Sequence, residues 1–167
     1  EAKKKGLKVY IKYFDDLLVK KLINDHEKFD VIFSANTITH ISNFNSVFYN
    51  VSRILSDNGS FIVEEPSLLE TIKKNSYDQF YNEHIYVFST IALQNILKNN
   101  NLEIYDVENI KVHGGSNRYY IKKIKNKKIK ISQRFKKNVI LEKKFKLHTF
   151  SCYKNFSKKV KKSKTKL

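Results

Sequence analysis

Three of the chain's five histidines stand where an imidazole could act on a substrate. His84 closes the run Tyr81-Asn82-Glu83-His84, which sets it beside a carboxylate and close to a phenol. Imidazole titrates near neutral pH, so it can take a proton from a weakly acidic atom and later return it. His40 follows Asn36 at the end of an apolar run, and His113 opens His113-Gly114-Gly115-Ser116, with Arg118 close behind. The two glycines offer backbone amides without side-chain obstruction, suited to a phosphate or sugar oxygen. Plainer readings compete with each of these. A histidine beside a glutamate is more often a surface pair, and Gly-Gly is most often a turn. Tyr77, Phe80, Tyr81, Tyr86 and Phe88 can serve as core or lid packing. His40, His84, His113 and Glu83 lack metal-ligand spacing, so no metal is expected. His26 and His148 lie in charged helical stretches and are assigned no role.

The elements that must position these residues follow from the apolar pattern. Residues 7–14 alternate partly and predict a strand. Asp15 and Asp16 can cap a helix to about Asn24, with Leu17, Leu18, Leu22 and Ile23 on one face. The apolar run from Phe29 to Asn36 predicts a buried parallel strand ending in small and polar residues. That end is where an open α/β sheet exposes its ligand-binding edge. Residues 43–55 have helical spacing, Asp57-Asn58-Gly59 predicts a stop and turn, and residues 60–65 a further strand closed by Pro66. Ser89 or Thr90 can cap a helix to about Asn99. Residues 102–110 and 117–124 predict an antiparallel pair flanking the Gly-Gly turn. From Lys125 onward one long amphipathic helix is expected, fraying into a basic tail from about Lys158.

Composition bounds the function classes. The chain has 167 residues and a formal net charge of +17, which raises the question of nucleic acid. Only Arg53, Arg118 and Arg134 among the 33 basic residues are arginine, and bidentate recognition of phosphates and bases favours arginine. The abundance of Lys, Asn, Ile, Tyr and Phe reads as AT-rich coding bias. The charge is therefore read as a solvated surface, with a nucleic-acid-binding protein as an alternative. No run approaches the ~20 apolar residues that a membrane span needs. The single Cys152 excludes an internal disulfide and fits a reducing cytoplasm. A start at Glu1 with no Met anywhere is expected of a piece of a longer or processed protein.

Three segments together resemble the sugar C-methyltransferase family, whose members methylate carbon 3 of TDP-linked 4-keto sugars. Asp30-Val31-Ile32 followed by Asn36-Thr37-Ile38-Thr39-His40 resembles the family's strand ending in Asn and then His. Tyr77-Asp78-Gln79-Phe80-Tyr81-Asn82-Glu83-His84, continued by Tyr86, Phe88 and Ser89, resembles its Tyr-His-Glu-His segment. His113-Gly114-Gly115-Ser116 with Arg118 resembles its His-Gly-Gly-Ser element. Asn82 stands where the family pattern has His.

The resemblance implies an S-adenosylmethionine-dependent methyltransferase of α/β class: a partial Rossmann-like sheet with a terminal antiparallel pair, plus a C-terminal helix. It implies His84 as the base that deprotonates a carbon beside a ketone. Glu83 and Tyr81 would orient it or bind sugar and enolate oxygens, and His40 would hydrogen-bond the substrate. Asn36 would lie near the methionine part of the cofactor and Phe14 beside its adenine. His113, Gly114, Gly115, Ser116 and Arg118 would bind a nucleotide-linked keto sugar. A methyltransferase remnant without activity is the other reading.

The same resemblance sets expectations about what is missing. Residues 1–124 would form part of the catalytic domain, and 125–167 a Lys-rich helical segment leading to a further domain. A first strand with a Gly-rich loop and an acidic ribose ligand are not found, since Gly6 is the only glycine before Gly59. In the family's strand order 3-2-1-4-5-7-6, loss of strands one and two leaves the fourth strand as an apolar edge and strips the third of its neighbour. The isolated chain should bind S-adenosylmethionine poorly; calorimetric titration showing tight binding would contradict this.

Overall fold

The computed structural model describes residues 1–165. Four strands and six helices follow in order: α1 (Asp16–Asn24), β1 (Phe29–Ala35), α2 (Phe44–Ile54), β2 (Leu55–Pro66), α3 (Leu68–Lys74), α4 (Thr90–Lys98), β3 (Leu102–Ile110), β4 (Ser116–Lys123), α5 (Gln133–Lys144) and α6 (Phe150–Lys164). They form one sheet in the order β1-β2-β4-β3. β1 runs parallel to β2, whereas β2–β4 and β4–β3 are antiparallel.

Alternation along β2 decides which way each face looks. Phe61, Val63 and Glu65 turn inward and are buried. The inner face meets α2 through Val47, Phe48 and Val51, α4 through Leu93 and Leu97, and α5 through Phe135. The outer face carries Glu64, Glu108, Arg118 and Tyr120, joined by polar contacts. Helix starts are set by short polar caps. Asp15 accepts from the Leu18 amide at 2.9 Å, Ser89 from Ala92 at 3.2 Å and Ser132 from Phe135 at 3.0 Å.

A buried carboxylate ties α5 to the start of α4. Glu142 of α5 is fully buried. Its two oxygens accept the Thr90 and Ile91 amides at 2.7 and 3.0 Å, the first unpaired donors of α4. Thr90 Oγ1 donates to Asn138 Oδ1 at 2.6 Å beside it.

Four expectations change. Residues 7–14 form no strand. A strand needs a hydrogen-bonding neighbour, and this segment has none among the described residues; Ile11 and Tyr13 lie in solvent. β1 is parallel as expected but sits at the sheet edge, with Val31 62% and Phe33 59% exposed, so it is not a buried strand. The same edge is the apolar fourth-strand edge expected from the family strand order. Asp57-Asn58-Gly59 is no turn; it lies within β2, where a bulge separates the pairs Phe29–Leu55 and Val31–Ser60. A Cβ at Gly59 would stand 2.9 Å from the Asp30 carbonyl, so only glycine permits this approach. Finally, the long C-terminal helix is two helices. Lys146 turns left-handed (φ 57°), and the Leu147 amide closes on the Glu142 carbonyl at 3.2 Å, a Schellman-type stop. Leu147 itself is buried against Leu69 and Ile72. The segment expected to fray from Lys158 stays helical to Lys164.

In urea unfolding, Phe61→Ala should cost about 3–5 kcal/mol, whereas Val31→Lys on the exposed edge should stay within about 0.5 kcal/mol. Glu142→Ala leaves two buried amides without an acceptor and should cost about 2–4 kcal/mol.

Candidate active site

The site gathers at the end of β1. After Ala35 the chain needs an abrupt change of direction, and Asn36 provides it with φ 48°, a conformation that Asn tolerates better than most residues. A 3-10 turn over Ile38–His40 follows. His40 Nδ1 donates to the Glu83 carbonyl at 2.7 Å. A carbonyl only accepts, so in the neutral ring Nε2 carries the lone pair.

His84 is held on both sides. Its Nδ1 donates to the Gln79 carbonyl at 2.9 Å, and the Tyr81 hydroxyl donates to its Nε2 at 2.7 Å. The basic nitrogen of the neutral ring is thus the one facing Tyr81. The Tyr81 and His84 rings lie with centroids 4.0 Å apart, and those of His40 and His84 5.0 Å. Glu83 contributes its carbonyl to His40; its side chain is exposed and makes no hydrogen bond among the described residues. α6 touches the same loop, with Phe156 6.0 Å from Phe80 between ring centroids.

The other predicted residues divide. Asn36 Nδ2 lies 3.4 Å from His113 Nε2, which joins the third histidine to the end of β1. Gly114 and Gly115 form a tight turn against α3: Gly115 has φ 126°, and a Cβ there would stand 2.9 Å from Glu70 Cβ. The Gly115 amide donates to the Val112 carbonyl, its carbonyl accepts from Ser67, and Ser116 Oγ donates back to Val112. Arg118 lies on the outer face of the sheet, bonded to Glu64 at 2.9 and 3.0 Å and to Glu108 at 3.4 Å. Its guanidinium is occupied by these two carboxylates. Among the described residues no cluster of three or more His, Cys, Asp or Glu could hold a metal ion, and no helix is long and apolar enough to cross a membrane.

One residue was missed. Glu65, fully buried at the end of β2, accepts the amides of Thr37 and Ile38 through Oε1 at 3.1 and 2.7 Å. Burial pushes its carboxyl above the ordinary value of 4.5, and the Ile38 and Thr37 amides pull it part of the way back. The available signal was the alternation Phe61, Val63, Glu65, which places a carboxylate on the core face.

Residues 4–107 match the methyltransferase domain family. The chain belongs to that family. Residues 111–167 match the C-methyltransferase C-terminal domain, a match that includes β4 although β4 is bonded into the sheet. The chain is 34% identical over 86 residues to the C-methyltransferase NovU of Streptomyces niveus, an alignment covering 52% of this chain and 20% of NovU. It therefore spans about a fifth of that relative's length. Among solved structures, an S-adenosylmethionine-dependent methyltransferase from Clostridium acetobutylicum superposes with a TM-score of 0.53 at 18% identity, covering 72% of this chain and 67% of the other. An O-methyltransferase family protein from Burkholderia thailandensis gives 0.50 at 9% identity, covering 70% and 36%. These likenesses establish a Rossmann-like methyltransferase fold.

The cofactor of this methyltransferase family is S-adenosylmethionine. The chain's residues fit part of it. An apolar cleft of about 360 Å³ runs along β1, lined by Phe14, Ile32, Ile38, Val47 and Phe61 among others. At the end of β1, Asn36 Oδ1 is buried with no hydrogen-bond partner among the described residues, an unsatisfied acceptor of the kind an ammonium group would pair with. Among the described residues, none that lines the cleft is a carboxylate able to take ribose hydroxyls.

The raised Glu65 carboxyl has a defined pH consequence. The folded state holds that proton more tightly than the unfolded chain, so its contribution to stability is full below pH 4.5 and is lost as pH rises through the raised value. Urea midpoints measured across that window should decline less with rising pH in Glu65→Gln than in the parent chain.

Proposed function

We propose that this chain carries the deprotonating half of a C-methyltransferase acting on a carbon beside a ketone, in a nucleotide-linked deoxysugar. The observation that supports this best is His84, whose tautomer is set by the Gln79 carbonyl and whose basic Nε2 meets the Tyr81 hydroxyl. Such a base can lift a proton from the carbon, leaving the electron pair on the ketone oxygen as an enolate. For this, the Tyr81 hydroxyl turns from Nε2 toward that developing oxygen, where it stabilises the charge. His40, with its Nε2 lone pair exposed beside the ring of His84, is placed to accept from a substrate hydroxyl.

S-adenosylmethionine, when bound, supplies an electrophilic methyl group. Phe14 and the cleft along β1 would face its adenine, and Asn36 its amino acid end. The turn from His113 to Ser116 stands beside Asn36 and would contact the sugar nucleotide, although the Gly115 amide is already engaged. We also read residues 1–124 as the methyltransferase portion and 125–167 as a separate segment. The single cysteine is consistent with a cytoplasmic setting.

The test is solvent exchange. In D2O, a protein with this chain's His84 should exchange the proton on the carbon beside the ketone of a TDP-linked 4-keto sugar. His84→Ala should lose both exchange and methylation, by about a hundredfold or more. Exchange that persists in His84→Ala overturns the base assignment, and no exchange in the parent protein favours a remnant without activity.

A further inference from the structure

We infer that Glu65 is a positioning residue that holds His40 and His84 in register with each other through the turn at Thr37–Thr39. The inference rests on the reading of those imidazoles as working groups. Neither histidine is hydrogen-bonded to Glu65 among the described residues. The connection runs through the backbone of residues 37–39 and 83–86 and through the His40 ring, and each contact between the segments is a hydrogen bond.

Oε1 of Glu65 accepts from Thr37 and Ile38, the two amides that open the turn carrying His40. At the far side of that turn, the Thr39 carbonyl accepts from the amides of Ile85 and Tyr86 at 3.0 and 3.3 Å. Those residues directly follow His84. His40 then returns to the Glu83 carbonyl at 2.7 Å, which directly precedes His84. Segments 37–40 and 83–86 therefore form a closed ring of hydrogen bonds, and Glu65 is the side-chain acceptor at its base among the described residues. The carboxylate is fully enclosed. A water molecule could not take over its role without a cavity, and losing the acceptor would leave two amides unpaired. The turn is too short to hold itself: a single 3-10 turn of three residues has little cooperativity of its own.

The geometry also says what Glu65 does not have to supply. The Thr37 and Ile38 amides both use Oε1, while Oε2 is buried beside the Thr39 hydroxyl. The function requires an acceptor at one point, not a negative charge. Glutamine retains that acceptor, and its amide nitrogen would take the place of Oε2 next to the Thr39 hydroxyl. Aspartate retains the charge but withdraws the acceptor by one carbon–carbon bond, about 1.5 Å.

This pair of variants separates positioning from charge. The first measurement is made on the chain itself, by long-range proton–nitrogen correlation of the imidazole rings. Glu65→Gln should leave the His40 and His84 ring signals where they are in the parent, and Glu65→Asp should displace both. In solvent exchange, Glu65→Asp should lower kcat by about tenfold to a hundredfold with little change in KM, and Glu65→Gln should stay within about threefold of the parent. Glu142→Asp serves as the control, because it shortens an equally buried acceptor that serves the start of α4 instead of the histidine turn; it should lower the unfolding midpoint without moving either imidazole. The inference is overturned if Glu65→Asp behaves as the parent, if Glu65→Gln moves the rings as far as Glu65→Asp does, or if Glu142→Asp moves them too. Exchange that survives His84→Ala sinks the base reading alone, since the ring signals still report on Glu65.

Discussion

Strand β2 is bonded along both edges, and everything else takes its place from that double ladder. On one side it runs parallel to β1, and on the other antiparallel to β4. Strand pairing fixes register, and register fixes which side chains face inward. A slip of one residue would send Phe61, Val63 and Glu65 to the outer face and bring Ile62 and Glu64 in. The hydrophobic core and the support under the histidine turn would be lost in one step. The alternation of burial along residues 59–65 is therefore a requirement of the site as much as of the core.

Two buried carboxylates perform the same physical task, one at the end of β2 and one on α5. Glu65 accepts the amides that start the turn bearing His40, and Glu142 those that start α4. In both cases the protein buries a group that would rather be hydrated, and burial pushes both carboxyls upward. Desolvation is offset by paired amide donors, which a backbone turn or helix start leaves unsatisfied in any case. What the arrangement gains is fixed geometry between segments far apart in sequence.

Much of the fold was legible in the sequence for reasons visible in particular residues. The helices α1, α2 and α4 begin at Asp15, Asn43 and Ser89, side chains that bond the first free amides. The strands β3 and β4 flank a Gly-Gly turn that only glycine can form at residue 115. Local signals failed where a distant partner decides. Residues 7–14 have strand character but no neighbouring strand. Asp57-Asn58-Gly59 has turn chemistry, yet Ser56 donates to Asp30 across the bulge and keeps it within β2. Of the candidate site residues, Tyr81, His84 and His40 come together, and Asn36 meets His113. Arg118 faces away because strand parity puts it opposite Glu64 on the outer face. Glu65 escaped notice because a carboxylate at the end of a strand usually meets water.

The strand order has a consequence for the ribosome. β3 is made before β4, yet among the described residues it pairs with β4 alone, while β4 is bonded on both sides. As the chain emerges, β1, α2 and β2 can assemble first, and the segments bearing His40 and His84 can already meet. β3 must wait unpaired until β4 slots between it and β2, and α4 must wait for Glu142, some fifty residues further on, to cap its first turn. Both imidazole-bearing segments are thus synthesised before the half of the sheet that brings His113 to Asn36.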